Sequence, residues 1–164
     1  NPIVHADNSA VNLTANHHFD MVRIGFNLYN KSSIKFFPVV SIKSKITQIN
    51  FVKKGELVGY DYRFVAPKDM KVAIVPFGYA DGFDMAFVGI EIAINNAKCK
   101  VLNICMDCFF IDVSNVEIKK GDDIYILNDI NSLKMYADYI HTSEYEIMTK
   151  FSYSRAKRKI INDD

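Results

Sequence analysis

Apolar and polar positions along the chain change their rhythm near residue 38. Before it, residues 3–5 form a strand-like run that reads as the end of a buried strand. Ala6, Asp7, Asn8, Ser9 and Ala10 then supply the small and cap-forming side chains that open a helix or a phosphate-binding turn. This predicts one βα junction. Residues 21–29 form a second apolar stretch, interrupted by Arg23 and Gly25, and an arginine inside a buried strand needs a partner. Lys31, Ser32 and Ser33 read as a linker. Beyond Pro38 the runs shorten. Residues 39–51 alternate, with Val40, Ile42 and Ile46 on one face and Ser41, Lys43 and Lys45 on the other, as a half-exposed strand should. Further strand-like runs cover 57–62, 70–75, 89–94, 98–104, 105–113 and 123–127, separated by turn residues such as Asn95, Asn96, Gly121 and Asp122. Helical spacing returns at 132–140 (Leu133, Tyr136, Ala137, Ile140) and 143–151 (Ile147, Met148, Phe151), with Asn131 and Thr142 as candidate caps. The expected class is mostly β: an incomplete α/β unit over residues 1–36, then an antiparallel β domain with short C-terminal helices over 37–164.

Composition narrows the function. The 164 residues are 49% hydrophobic, 24% charged and 13% aromatic, an ordinary globular mixture. With Lys+Arg 20 against Asp+Glu 19, the formal net charge is +1, so no global field attracts nucleic acid or an anionic membrane. Arg155, Lys157, Arg158 and Lys159 form a local basic run that reads as a solvated terminus. There is no long apolar run to span a bilayer, so neither a nucleic-acid nor a membrane partner is expected. Three cysteines, Cys99, Cys105 and Cys108, form an odd set in a chain without a signal-peptide pattern, which points to a reducing, cytoplasmic setting. Cys105 and Cys108 make a C-x-x-C, but no second such pair or suitably spaced histidine pair completes a zinc site. Read as part of a strand, residues three apart would face opposite ways. His17 and His18 lack carboxylates at ligand spacing, and no metal site is expected. Because the chain opens on Asn1 and Pro2 in what reads as the end of a strand, it is expected to be a fragment.

Tyrosine directly follows glycine twice, in Gly59-Tyr60 and Gly78-Tyr79, each time at a predicted strand end. Glycine lets the backbone bend and leaves the ring facing whatever sits opposite. A tyrosine so placed is either a proton-exchanging group beside a cation or a ring packed on a sheet edge.

The order of motifs carries more than any one of them. His5-Ala-Asp-Asn-Ser-Ala10, Phe19-Asp-Met-Val-Arg-Ile-Gly-Phe-Asn-Leu-Tyr29, Pro38-Val-Val-Ser-Ile-Lys-Ser-Lys45, Val52-Lys-Lys-Gly-Glu-Leu-Val-Gly-Tyr60, Val75-Pro-Phe-Gly-Tyr-Ala-Asp-Gly82, Cys105-Met-Asp107 and Tyr145-Glu-Ile147 resemble, in this order and with compatible spacings, the second half of bacterial alanine racemases. The resemblance spans essentially the whole chain. It implies that residues 1–36 are the last strands of an α/β (TIM-type) barrel and that 37–164 are the carboxy-terminal β domain. It also implies pyridoxal 5'-phosphate as cofactor, an amino-acid substrate, and a homodimer with shared active sites that supplies D-alanine for peptidoglycan. The Ser9 hydroxyl and the backbone N–H groups of Gly25 and Phe26 would hold the phosphate, in keeping with the usual phosphate site of such barrels, and Tyr153 would join them. Arg23 would meet the pyridine nitrogen, supported by His5. As an obligate cation, Arg23 would keep that nitrogen unprotonated and limit side reactions. Tyr60 would exchange the α-proton on one face of the substrate, opposite a lysine. Tyr79 would stand in the access corridor, and the Met106 backbone N–H would bind the substrate carboxylate.

This chain also departs from the pattern. Asn30 replaces a glycine, Phe26-Asn27 replaces Ile-Ala, Asp84-Met85 replaces Pro-Arg, and Asn103 replaces an arginine. Ser154-Arg-Ala-Lys-Arg158 differs from the usual Arg-Val-Pro-Arg. No lysine here sits in a motif like that of the cofactor-binding lysine, so this stretch alone is not expected to racemise anything. Two alternatives are a serine or broad-specificity racemase, given the altered corridor, and a non-catalytic β module for binding or dimerisation.

Overall fold

The computed structural model describes residues 2–14, 16–25, 40–61, 63–128, 130–151, 155–157 and 159–160. Near the amino terminus, His5 pairs with Met21 in a parallel bridge, and the Arg23 N–H donates to the Asp7 carbonyl at 2.8 Å. Between them lies α1 (Ser9–Thr14), which Asn8 caps by accepting from the Val11 N–H at 3.1 Å. The predicted βα junction is therefore present. The carboxylate of Asp7, buried beneath it, accepts from His18 Nδ1 at 2.8 Å, and that of Asp20 accepts from the Val4 N–H at 3.0 Å. Contrary to the expectation of a buried strand, Ile3 is 71% exposed, and Val4, Met21 and Arg23 are exposed too. Arg23 nevertheless has a partner, its guanidinium donating to the Ala6 carbonyl at 3.2 Å. The expected boundary at 36/37 and the run 26–29 lie outside the described residues.

The rest is mostly antiparallel β. Five strands lie in the order β2 (Gln48–Val52), β3 (Met70–Val75), β6 (Phe109–Asp112), β5 (Ala97–Ile104), β4 (Glu91–Ile94). Two more, β1 (Ile42–Lys45) and β7 (Asp123–Leu127), pair separately. Both sheets and the helices α2 (Ile130–Tyr139) and α3 (Glu144–Lys150) meet in one core that includes Ile42, Val75, Phe83, Phe87, Phe109, Ile126, Tyr136 and Ile147. Burying such aliphatic and aromatic side chains contributes about 1.5–3 kcal/mol each. A smaller cluster, Val58, Ala66, Met70, Val72 and Leu102, covers the opposite face of the five-stranded sheet.

The predicted strands at 70–75 and 123–127 match β3 and β7. The single strand predicted over 39–51 instead divides between the two sheets. Ile46, 1% exposed, bonds through its backbone to Asp122 and Gly121 rather than continuing the ladder, and the alternation slips there. Over 57–62 only a Leu57–Val65 bridge forms, because Gly59 (φ 77) and Asp61 (φ 62) turn the chain out of extended geometry. The strand predicted over 105–113 starts only at Phe109, since residues 105–108 are the hairpin turn between β5 and β6. The two helices lie within two residues of their predicted bounds. Asn131 falls inside α2, and α3 is capped by Ser143, whose hydroxyl accepts the Glu146 N–H, while the hydroxyl of Thr142 donates to the Glu146 carboxylate.

Candidate active site

Three turns carry the residues singled out in the sequence. In the first, Gly78 opens a single helical turn at Tyr79–Asp81. A Cβ on Gly78 would lie 2.4 Å from the carbonyl oxygens of Cys105 and Met106, so no side chain fits there. That closeness lets the N–H groups of Tyr79 and Ala80 donate to the carbonyls of Cys105 and Met106, each at 3.0 Å. The Tyr79 turn and the Met106 turn are thus laced into one unit.

Asp81 fixes this unit from below. Its carboxylate is almost fully buried and accepts the Gly78 N–H at 2.9 Å. It also takes a bidentate pair from Arg155, Nε at 2.7 Å and NH2 at 2.6 Å. Arg155 reaches the Asp107 carbonyl as well, at 3.5 Å. Planar, doubly bonded pairs of this kind are the stronger and more directional ion pairs. The bond to Asp81 holds the Arg155 guanidinium above its ordinary pKa. Arg155, although exposed like Lys157 and Lys159 of the basic run, is therefore also a structural staple. No periodicity or motif marks a contact across 74 residues.

The third turn carries Tyr60. Gly59 and Asp61 on either side both have positive φ, and a Cβ on Gly59 would stand 2.4 Å from the Asn103 amide nitrogen. Tyr60 itself is 76% exposed, so its ring is not sealed in a sheet.

These turns enclose a recess of about 400 Å³ lined by Tyr60, Tyr79 and Met106 together with Arg63, Met85 and Asn103. Two carboxylates, Asp61 and Asp107, also face it, and Asp61 lies 3.8 Å from the Arg63 guanidinium. Tyr60, Tyr79 and Met106 are thus brought together from three separate segments. Both positions where the resemblance leads one to expect an arginine, Met85 and Asn103, line the same space. The size suits a small organic ligand.

The other predicted residues form a second group. His5 and Arg23 lie on the neighbouring parallel segments, which are joined by the His5–Met21 bridge and the Asp7–Arg23 bond, with α1 starting at Ser9 and Gly25 two residues beyond Arg23. A Cβ at Gly25 would meet nothing within 4 Å, so the space beside it is open. Phe26 and Tyr153 lie outside the described residues, as does the side chain of Ser9. Among the described residues, none of those lining the recess comes from this second group.

The C-x-x-C lies in a turn and not in a strand, so strand alternation does not set which way its thiols face. The Cys105 N–H donates to the Cys108 carbonyl at 2.7 Å, closing the hairpin around Met106. Burial, then the neighbouring Cys105 and Asp107, push the Cys108 thiol up to about 11. Among the described residues no cluster of three or more His, Cys, Asp or Glu side chains could hold a metal, and no helix is long and apolar enough to cross a membrane.

Comparison with known proteins identifies the family. The sequence profile of the family described as "Alanine racemase, C-terminal domain" matches residues 39–160. The alanine racemase of Lactobacillus gasseri is 34% identical over 162 residues, covering 88% of this chain and 43% of that protein. The crystal structure of alanine racemase from Bacillus anthracis with bound L-Ala-P superposes with a TM-score of 0.82 at 27% identity, over 92% of this chain and 43% of that one. That of Bartonella henselae, with covalently bound pyridoxal phosphate, gives 0.81 at 26% identity, over 92% and 45%. The chain thus spans less than half the length of the relatives it matches. On the profile match across most of its residues and the shared fold, it belongs to the alanine racemase family and contains that family's carboxy-terminal domain.

Proposed function

We propose that this chain is the carboxy-terminal portion of a pyridoxal-phosphate-dependent alanine racemase, an isomerase that interconverts L- and D-alanine. In this reading residues 1–36 complete an α/β barrel begun by other residues, and 37–164 are the β domain. The exposure of Ile3, Val4, Met21 and Ile24 supports the first part, since apolar strand residues of this kind are normally covered by neighbouring strands. The convergence of Tyr60, Tyr79 and Met106 on one open recess carries the functional reading.

The amino-terminal group fits a phosphorylated pyridine. Gly25 has open space where a side chain would project, and Ser9 with the backbone N–H groups of Gly25 and Phe26 would donate to the phosphate, with Tyr153 joining them. Arg23, supported by His5, would offer a permanent cation to the ring nitrogen. When bound, the cofactor draws electron density from the substrate α-carbon and so acidifies its C–H bond. What the chain itself adds is a proton-exchanging hydroxyl at Tyr60, a carboxylate-binding N–H at Met106 and a corridor wall at Tyr79. Inverting one carbon needs a base on each face, and Tyr60 would serve one of them.

The recess contains none of the cofactor-side residues among those described, which supports a homodimer in which Tyr60, Tyr79 and Met106 complete the partner subunit's site. D-alanine production for peptidoglycan in the cytoplasm, with no nucleic-acid or membrane partner, follows from the same assignment. A second reading, a serine or broader amino-acid racemase, is favoured by the neutral Met85 and Asn103 in the corridor.

The test is racemisation by the full-length polypeptide carrying this chain, measured from both enantiomers and across a panel of amino acids. Tyr60→Phe is expected to lower alanine turnover by about 10²- to 10⁴-fold. Undiminished two-way racemisation in that variant would remove the role of Tyr60. Faster turnover of serine than alanine would select the second reading.

A further inference from the structure

The geometry points to Asn103 as a positioning residue that fixes the reach of the Tyr60 hydroxyl, an inference that rests on the base assigned to Tyr60 above. The Tyr60 residue is 76% exposed, so the backbone beneath it is a main constraint on where its hydroxyl can reach. That backbone belongs to a loop closed at its root by the Val58 N–H donating to the Phe64 carbonyl at 3.0 Å. Its tip, with Gly59 and Asp61 both at positive φ, has left the sheet ladder.

Asn103 supplies the missing anchor. It lies on β5, 2% exposed, where the ladder to β6 shifts register between Val101 and Asn103. Its Nδ2 donates both protons to the loop, one to the Val58 carbonyl at 3.0 Å and one to the Tyr60 carbonyl at 3.1 Å. Its Oδ1 accepts the Ile104 N–H at 2.8 Å. A buried amide with its protons and its oxygen all engaged has one orientation, since two carbonyls can be met only by a donor. A Cβ on Gly59 would run into the Asn103 amide and stand 3.2 Å from the Phe110 ring, so the loop backbone lies close against Asn103. A proton-exchanging group must come within hydrogen-bond reach of its target, and a shift of about 1 Å can cost about 100-fold in rate. Asn103 thus acts through Tyr60 and need not touch the substrate.

The experiment introduces Asn103→Ser and Asn103→Asp into the full-length protein, each alone and each combined with Tyr60→Phe. Serine, shorter and with a single donor, cannot make both bonds to the loop. Aspartate keeps the shape but sets an acceptor against two carbonyls, and where that variant does not fold, Asn103→Ser carries the test. Each single variant is expected to lose about 10- to 100-fold in kcat, with KM within about twofold of the parent. In the Tyr60→Phe background the same substitutions are expected to change the residual turnover by less than about twofold, because the group they misplace is already gone. A single variant as fast as the parent, or an equal loss in both backgrounds, would overturn the positioning role. Intact turnover in Tyr60→Phe alone would instead bring down the assignment of the base, and this inference with it.

Discussion

Tyr136 and Tyr60 are the same side chain put to opposite uses, and the regions around them divide the molecule. Tyr136 is fully buried at the centre of an aromatic cluster with Phe83, Phe87 and Phe151, and its hydroxyl donates to the Ile126 carbonyl at 2.8 Å. Burial pushes its pKa upward, which takes it out of proton exchange at any ordinary pH. Tyr60 stands on a loop with its ring in solvent, held through its own backbone. In the core, side-chain packing sets position. At the rim, hydrogen bonds to backbone atoms set position and leave the side chains free to meet a ligand.

The sharpest way to break that division is to remove a core ring. Phe83 is fully buried and contacts Phe77, Phe87, Phe109 and Tyr136. Phe83→Ala is expected to cost about 3–5 kcal/mol, from lost burial plus the cavity left behind. Urea unfolding of the protein followed by circular dichroism checks this, and a loss below about 1 kcal/mol would mean that the cluster repacks and does not fix the fold.

A smaller effect, with a mixed signature, is expected at Asp81, which joins the two regions. Asp81→Asn turns an amide toward Arg155 and weakens the bidentate pair that supports the Tyr79 and Met106 turns. Stability is expected to fall by about 1.5–3 kcal/mol, the usual contribution of charged hydrogen bonds, toward the lower figure because Arg155 can turn to water. Substrate KM should rise as well, since both turns line the recess. Unfolding and steady-state kinetics on the same sample separate the two. A stability loss with unchanged KM would place Asp81 wholly with the core.

The sequence made the core and the rim legible to different degrees. Alternation identified β3 and β7 and the buried faces of α2 and α3, because each of those elements keeps one period throughout and faces one core. It misread residues 39–51 and 105–113, where the chain changes sheets at Ile46 or reverses at Met106 without a glycine or proline to mark the change. Gly-Tyr pairs drew attention to Tyr60 and Tyr79, which the fold brings to one recess, since a glycine forced by close backbone approach leaves a trace in the sequence. The supports of the site left none. Asn103 reaches back 45 residues to Val58 and Arg155 reaches Asp81, contacts that only the folded chain brings together.

The smallest expected effect lies at the border of core and rim, where Asp84 accepts the Ala86 N–H at 2.9 Å and pairs with Lys150 at 2.6 Å. The Ala86 N–H, then the Lys150 ammonium, hold its carboxyl below the usual carboxylate range. The folded state therefore favours the charged form. Its contribution is fully present above the unfolded value, about 3.9, and fades as the pH falls through the lower folded value. With both partners partly exposed, that contribution is expected to be about 1 kcal/mol or less. Asp84→Asn should thus be slightly less stable than the parent at pH 7, and the gap between their urea midpoints should narrow as the pH is lowered from 5 toward 2. Glu146 shares Lys150, and although bonds from Thr142 and Lys150 lower its carboxyl, the Asp84 charge raises it, so losing that repulsion in Asp84→Asn offsets part of the gap. A gap that stays constant across that window would assign the cost of the substitution to lost capping of the turn at Met85–Phe87, a rim interaction that does not depend on charge.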